Sequence, residues 1–262
     1  MSLVLVMAMT FMLTSSNKRF TIYMIGDSTM ADKNMKKAPE ERGWGMVLQG
    51  FFTENVRIDN HAINGRSSKS FINEGRWQKV LDKMQPGDYL VIQFGHNDEK
   101  RTDSLRYTRP WQEFADNYRM FIRAAKEKGV TPIVMNCVAR RNFFNAKTKE
   151  EIDDEALRSV NRDKYNGKDN THYNVYGARL MTSLLVDEMA KVCPQLAPFV
   201  RHYDYVVSAK GRGNYLTLQE AVDATPMGKK TQILILDGTW QKPVIAKGKK
   251  VKLIKYCGVT VK

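Results

Sequence analysis

Short apolar runs alternate with amphipathic stretches along the 262 residues of the chain. Residues 20–25 (F-T-I-Y-M-I), 89–94 (Y-L-V-I-Q-F) and 131–138 (T-P-I-V-M-N-C-V) have the length and near-continuous hydrophobicity of buried strands. A weaker strand pattern, 56–60 (V-R-I-D-N), follows a helical pattern around 44–53. Pro110 opens a helix whose apolar face is Trp111, Phe114, Ala115, Tyr118, Phe121, Ile122 and Ala125, and Gly129 is placed to end it. Residues 175–190 form another, with Val175, Ala178, Met181, Leu185 and Met189 on one side. Strands alternating with helices predict an α/β fold, a parallel sheet covered on both faces. In such sheets ligand sites form at the carboxyl ends of the strands.

After His202 the pattern shifts. Residues 205–208 and 232–236 read as strands around a helical stretch at 217–224, and one more strand-like segment follows in lysine-rich sequence. At the other end, residues 3–13 (L-V-L-V-M-A-M-T-F-M-L) are apolar, too short to span a bilayer, and followed by Thr14, Ser15 and Ser16. That suits the core of an export signal, although no Lys or Arg precedes it; a buried strand or a tag is the alternative. The expected division is therefore 1–16 signal peptide or tag, 17–202 main domain and 203–262 second unit.

Composition adds two constraints. Cys137, Cys193 and Cys257 are too widely spaced for a zinc motif and odd in number, so neither a metal site nor a disulfide framework is expected. Cys137, in an apolar run, reads as a buried thiol. The net charge is +14, and from residue 229 onward nine lysines face the single Asp237, placing +8 of it there. Such a surface favours polyanions, whether nucleic acid, anionic lipid or acidic polysaccharide, or is simply a solvated face. No nucleic-acid-binding motif accompanies the lysines.

Four polar clusters fall at predicted strand ends or before a helix. They are Gly26-Asp27-Ser28-Thr29, Asn64-Gly65-Arg66-Ser67-Ser68, Gly95-His96-Asn97-Asp98 and Asp169-Asn170-Thr171-His172. Each alone reads as a cap or turn. Together they supply a complete acyl-transfer chemistry. A serine hydroxyl needs a base, histidine serves near neutral pH, and a carboxylate three residues away can orient the imidazole. The oxyanion formed on attack needs preset donors. Ser28 at a helix start offers its backbone N–H, Gly65 a second, and Asn97 a side-chain amide, while His96 and Asp98 hold the turn.

In these motifs the chain resembles the SGNH (GDSL-like) hydrolases, whose Ser, Gly, Asn and His match Ser28, Gly65, Asn97 and His172. G-D-S-T-M-A, G-R-S-S-K-S-F, F-G-H-N-D and D-N-T-H-Y-N-V-Y-G-A look most like rhamnogalacturonan acetylesterases over residues 20–190. The resemblance implies a flavodoxin-like three-layer α/β/α fold, no cofactor or metal, and removal of acetyl groups from acetylated pectic polysaccharide. It makes Ser28 the nucleophile, His172 the base, Asp169 its orienter, and Gly65 and Asn97 oxyanion donors. Neither a nucleic-acid partner nor membrane attachment of the mature form is implied, and location would be secreted or periplasmic. Arg140 and Arg141 are candidate contacts for uronate carboxylates, because guanidinium pairs well with them.

Residues 205–243 look like the first turns of a pectin methylesterase, a right-handed parallel β-helix, ending before that family's catalytic segments. A few coils bury little core, so loose packing is expected there. Relatives of the esterase also carry a strand and helix before D-N-T-H. Here residues 144–168 offer only Ile152, Ala156, Leu157 and Val160 amid charge, predicting a sheet without its edge strand. The shortened segment leaves a second reading open, a catalytically impaired pectin-binding protein derived from a bifunctional acetylesterase/methylesterase.

Overall fold

The computed structural model describes residues 19–140, Thr148 and 169–262. The apolar run near the amino terminus, Arg141 and the 144–168 pattern, apart from Thr148, lie outside the described residues. Strands β1 (Phe20–Gly26), β2 (Val56–Asn60), β3 (Tyr89–Gln93) and β4 (Thr131–Val134) form a parallel sheet in the order β2-β1-β3-β4. Among the described residues the sheet stops at β4, where Val134 is 51% exposed. Beyond it lies a cavity of about 710 Å³ lined largely by apolar side chains, Phe94, Trp111 and Tyr118 among them.

Strand alternation divides the core in two. Phe20, Ile22, Met24, Tyr89 and Val91 face the 3-10 helix Trp44–Phe51 and a long carboxyl-side helix. Tyr23, Ile25, Leu90 and Ile92 face the opposite layer. That second layer is α1 (Ser68–Asn73), α2 (Arg76–Lys83) and α3 (Ala115–Glu127); the long helix of the first is α4 (Val175–Val192). The period of two along the strands thus produces three layers. Within α3, Phe121 and Ala125 are fully buried, and Gly129 at φ +70° turns the chain towards β4.

Three expectations are corrected. Trp111 is 91% exposed although it shares a face with Phe114, Ala115 and Tyr118: that end of the face lines the open cavity beyond β4 and not the core. Cys137 is exposed, not buried, since β4 ends at Val134; Gln93 Nε2 donates to Asn136 O (2.9 Å) where strand pairing would continue. No helix follows Ser28: the chain makes turns until Trp44. Two helices go unannounced by the strand and helix patterns above: α1, whose only apolar residues are Phe71 and Ile72, and α2, although Trp77, Val80, Leu81 and Met84 have the spacing of a half-buried helix. α1 is set instead by its cap, in which Ser67 N donates to Ser70 Oγ and Ser70 N to Ser67 Oγ.

Residues 203–262 build two further parallel sheets. β5 (Tyr205–Val207), β6 (Lys230–Ile235) and β8 (Lys250–Lys255) form one; β7 (Thr239–Trp240) and β9 (Thr260–Val261) form the other. Helix α5 (Leu218–Asp223), opened by a Thr217/Glu220 capping box, covers the first. The loose packing expected here is not found: Val207, Ala221, Val222, Ile233 and Ile235 are fully buried. The unit also docks on the main sheet's covering layer. Tyr256 Oη donates to Phe52 O, Cys257 N to Glu54 Oε2 (3.0 Å), and Arg42 Nε to Gly211 O (2.8 Å). Gly50 allows this approach, as a Cβ there would lie 3.2 Å from both methyls of Val206.

Candidate active site

At the end of β1 the chain has no room for a side chain at residue 26, where a Cβ would lie 2.6 Å from Gln93 O. Asp27, fully buried, folds the next turn onto itself: its Oδ1 accepts from Thr29 N (2.9 Å) and Thr29 Oγ1 (2.8 Å). Beneath this turn Gln93 Oε1 accepts from Trp44 Nε1 (2.8 Å) and Thr29 Oγ1 (3.2 Å). Ser28, half-buried, is therefore presented on a turn clamped by Asp27 and Gln93.

The imidazole arrives from 144 residues away. Asn174 caps α4, its side chain accepting from Gly177 N (2.8 Å). Just before that cap, His172 Nε2 lies 2.9 Å from Ser28 Oγ. Behind it, His172 Nδ1 lies 3.1 Å from Asp169 Oδ2, and Asp169 Oδ1 accepts from the backbone N–H of both Thr171 (3.0 Å) and His172 (2.9 Å). A carboxylate on Nδ1 selects the tautomer with its proton there, leaving the Nε2 lone pair for the serine hydroxyl.

The two remaining clusters meet beside this line. Gly65 adopts φ +75°, a left-handed conformation that favours glycine, at the turn leading to α1. Asn97 is buried with its amide oriented at both ends: Nδ2 donates to Arg66 O (3.1 Å) and Oδ1 accepts from Lys100 Nζ (2.7 Å). One Nδ2 hydrogen remains for another acceptor. Asp98 holds the turn as expected, accepting from Ser68 N (3.0 Å), Ser68 Oγ (2.5 Å) and Thr108 Oγ1 (3.0 Å). Burial pushes its carboxyl up to about 6 despite those donors.

Arg140 and His96 have other surroundings. Arg140 Nη2 pairs with Glu99 Oε1 at 2.6 Å and its Nε donates to His96 Nδ1 at 3.3 Å, so its guanidinium is already engaged by a carboxylate of this chain. Burial lowers the pKa of His96. Sequence reasoning missed Lys33, Lys100 and Gln93, which hold the loops from beneath. Lone polar residues carry no periodic signal that could have marked them.

A hydroxyl, an imidazole and a carboxylate in line at the carboxyl edge of a parallel sheet are equipped for acyl transfer to water. The chain belongs to the GDSL-like lipase/acylhydrolase family, whose profile matches residues 22–176. Among curated proteins it is 41% identical over 126 residues to "Rhamnogalacturonan acetylesterase RhgT" of Bacillus subtilis, covering 48% of this chain and 52% of that protein. It is 39% identical over 124 residues to "Probable rhamnogalacturonan acetylesterase YesY" of the same organism, covering 47% and 56%. The chain thus spans about half the length of these relatives. The crystal structure of YxiM from Bacillus subtilis superimposes with a TM-score of 0.52 at 24% identity, covering 67% of this chain and 57% of that one, and shares its fold.

Proposed function

We propose that the protein is a serine esterase that removes acetyl groups from pectic polysaccharide, with acetylated rhamnogalacturonan as substrate. The observation that carries this reading is the 2.9 Å contact between His172 Nε2 and Ser28 Oγ, with Asp169 behind the ring. In the mechanism Ser28 Oγ attacks the acetyl carbonyl as His172 takes its proton. His172 then returns the proton to the departing sugar hydroxyl, leaving Ser28 acetylated. Water, activated by the same imidazole, releases acetate. The backbone N–H groups of Ser28 and Gly65 and the free Nδ2 hydrogen of Asn97 receive the oxyanion. The named activities of RhgT and YesY support the choice of substrate.

The test is acetate release from acetylated rhamnogalacturonan by the wild type and by Ser28→Ala. Activity should disappear in the variant while polysaccharide binding persists; turnover by Ser28→Ala removes the proposed nucleophile. Residues 203–262 are read here as the first coils of a pectin methylesterase-like β-helix, a reading supported by the parallel pairing of β5, β6 and β8. Export from the cytoplasm is proposed with it, since a polymeric pectic substrate lies outside the cell.

A second reading, a catalytically impaired pectin-binding protein, draws on the lysines. Lys230 and Lys250 are paired in register and exposed, and Lys252 follows on the same face. Pectin binding without acetate release, and without labelling of Ser28 by a serine-directed phosphonate, would favour it.

A further inference from the structure

We infer that Lys33 is a positioning residue that fixes the nucleophile, oxyanion and base loops to one another, an inference resting on the proposed role of Ser28. Lys33 is a lysine where water hardly reaches, its side chain 2% exposed. Its ammonium pairs with Glu41 at 2.7 Å, a carboxylate only 7% exposed. The same nitrogen donates to the backbone oxygen of Ser28 (2.5 Å) and to Asn64 Oδ1 (2.9 Å). An ammonium has three protons to give, and Glu41, Ser28 O and Asn64 Oδ1 are acceptors of this one among the described residues.

Each acceptor belongs to a different part of the site. Ser28 carries the hydroxyl. Asn64 immediately precedes Gly65, the turn offered as an oxyanion donor. Glu41 precedes Arg42, whose N–H donates to Tyr173 O (3.0 Å), the residue after His172. A single buried cation therefore ties together segments that are otherwise loops, and the Ser28–His172 contact depends on their relative position. Arg42 also reaches Gly211 O through its guanidinium, so the 203–262 unit braces the same bridge.

Burying an ion pair is a weak way to gain stability, since its desolvation offsets most of the attraction. The geometric precision it gives three loops is a better account of its presence, because displacement of reacting groups by about 1 Å lowers rates by about 10²-fold. Lys33 touches no reacting atom and acts through the backbone it holds.

The experiment compares wild type, Lys33→Arg and the double variant Lys33→Met/Glu41→Leu, which removes both charges of the pair together. Hydrolysis of a small activated acetate ester and the rate of phosphonate labelling of Ser28 are measured beside melting temperature. The double variant should melt near wild type yet lose about 10²-fold in kcat and in labelling rate, with KM within about twofold. Lys33→Arg should recover part of that loss. Wild-type kcat in the folded double variant overturns the inference. So does a loss that follows melting temperature and falls equally on kcat and KM. A wild-type enzyme that neither turns over the ester nor takes the label defeats the esterase reading itself, before Lys33 is in question.

Discussion

At the scale of single residues, the site depends on a few polar groups held in one orientation. Asp169 accepts from two backbone N–H groups as well as lying against His172 Nδ1, so its carboxylate is fixed before the ring is. Asp169→Asn should retain the fold and lower kcat by about 10³–10⁴-fold, as an amide there selects the wrong tautomer. Asn97→Ala should lower kcat by about 10²–10³-fold through loss of an oxyanion donor. Steady-state kinetics on an acetate ester check both. Asp98 provides a pH test of another kind. Its carboxyl is raised by burial from 3.8 to about 6, so between those values the native chain holds a proton that the unfolded chain releases. This group therefore adds stability as pH falls through that window and withdraws it above about 6. Thermal unfolding of Asp98→Asn and wild type across it should show the variant gaining on wild type as pH rises; a constant difference would rule the shift out.

At the scale of elements, strands and helix ends govern where the chemistry lies. β1 and β3 end beside one another, and Gly26 and Gln93 at their ends form the floor on which Ser28 is presented. α4 delivers His172 through its cap. Asn174→Ala should destabilise the protein by about 1 kcal/mol and slow labelling of Ser28 as well, because the histidine lies in the chain entering that helix. Unchanged labelling would separate the cap from the site. How readable an element was depended on what defines it. β1, β3 and α4 announce themselves by continuous or periodic hydrophobicity. α1 does not, since it is fixed by a reciprocal Ser67/Ser70 cap over six residues. Trp111 shows the reverse error: its spacing fits the helix face, but that end of the face borders the cavity beyond β4, where the ring stays 91% exposed.

For the whole molecule, the main feature is that the two units are joined by specific contacts. Gln49, Phe52 and Glu54 receive Tyr256 and the backbone of Cys257, while Arg42 reaches across to Gly211. Tyr256→Ala should therefore raise hydrogen exchange in β5, β6 and β8, and unaltered protection there would mean the second unit stands without its neighbour. The same joint places the lysine-bearing strands on the unit that carries no residue of the proposed site. At this scale the corrected expectation is packing: six buried apolar residues of the second unit close its core under α5, where coil count alone suggested looseness.

The chain by itself determined the class of fold, where the strands of the main sheet begin and the identity of the groups able to do acyl chemistry, because hydrophobic period and residue chemistry are local properties. Tertiary structure alone decided that Ser28 and His172, 144 residues apart, meet at 2.9 Å, and that Lys33 lies beneath three loops at once. Such meetings arise from the crossing of parallel strands and the burial of their connections. No window of neighbouring residues contains that information.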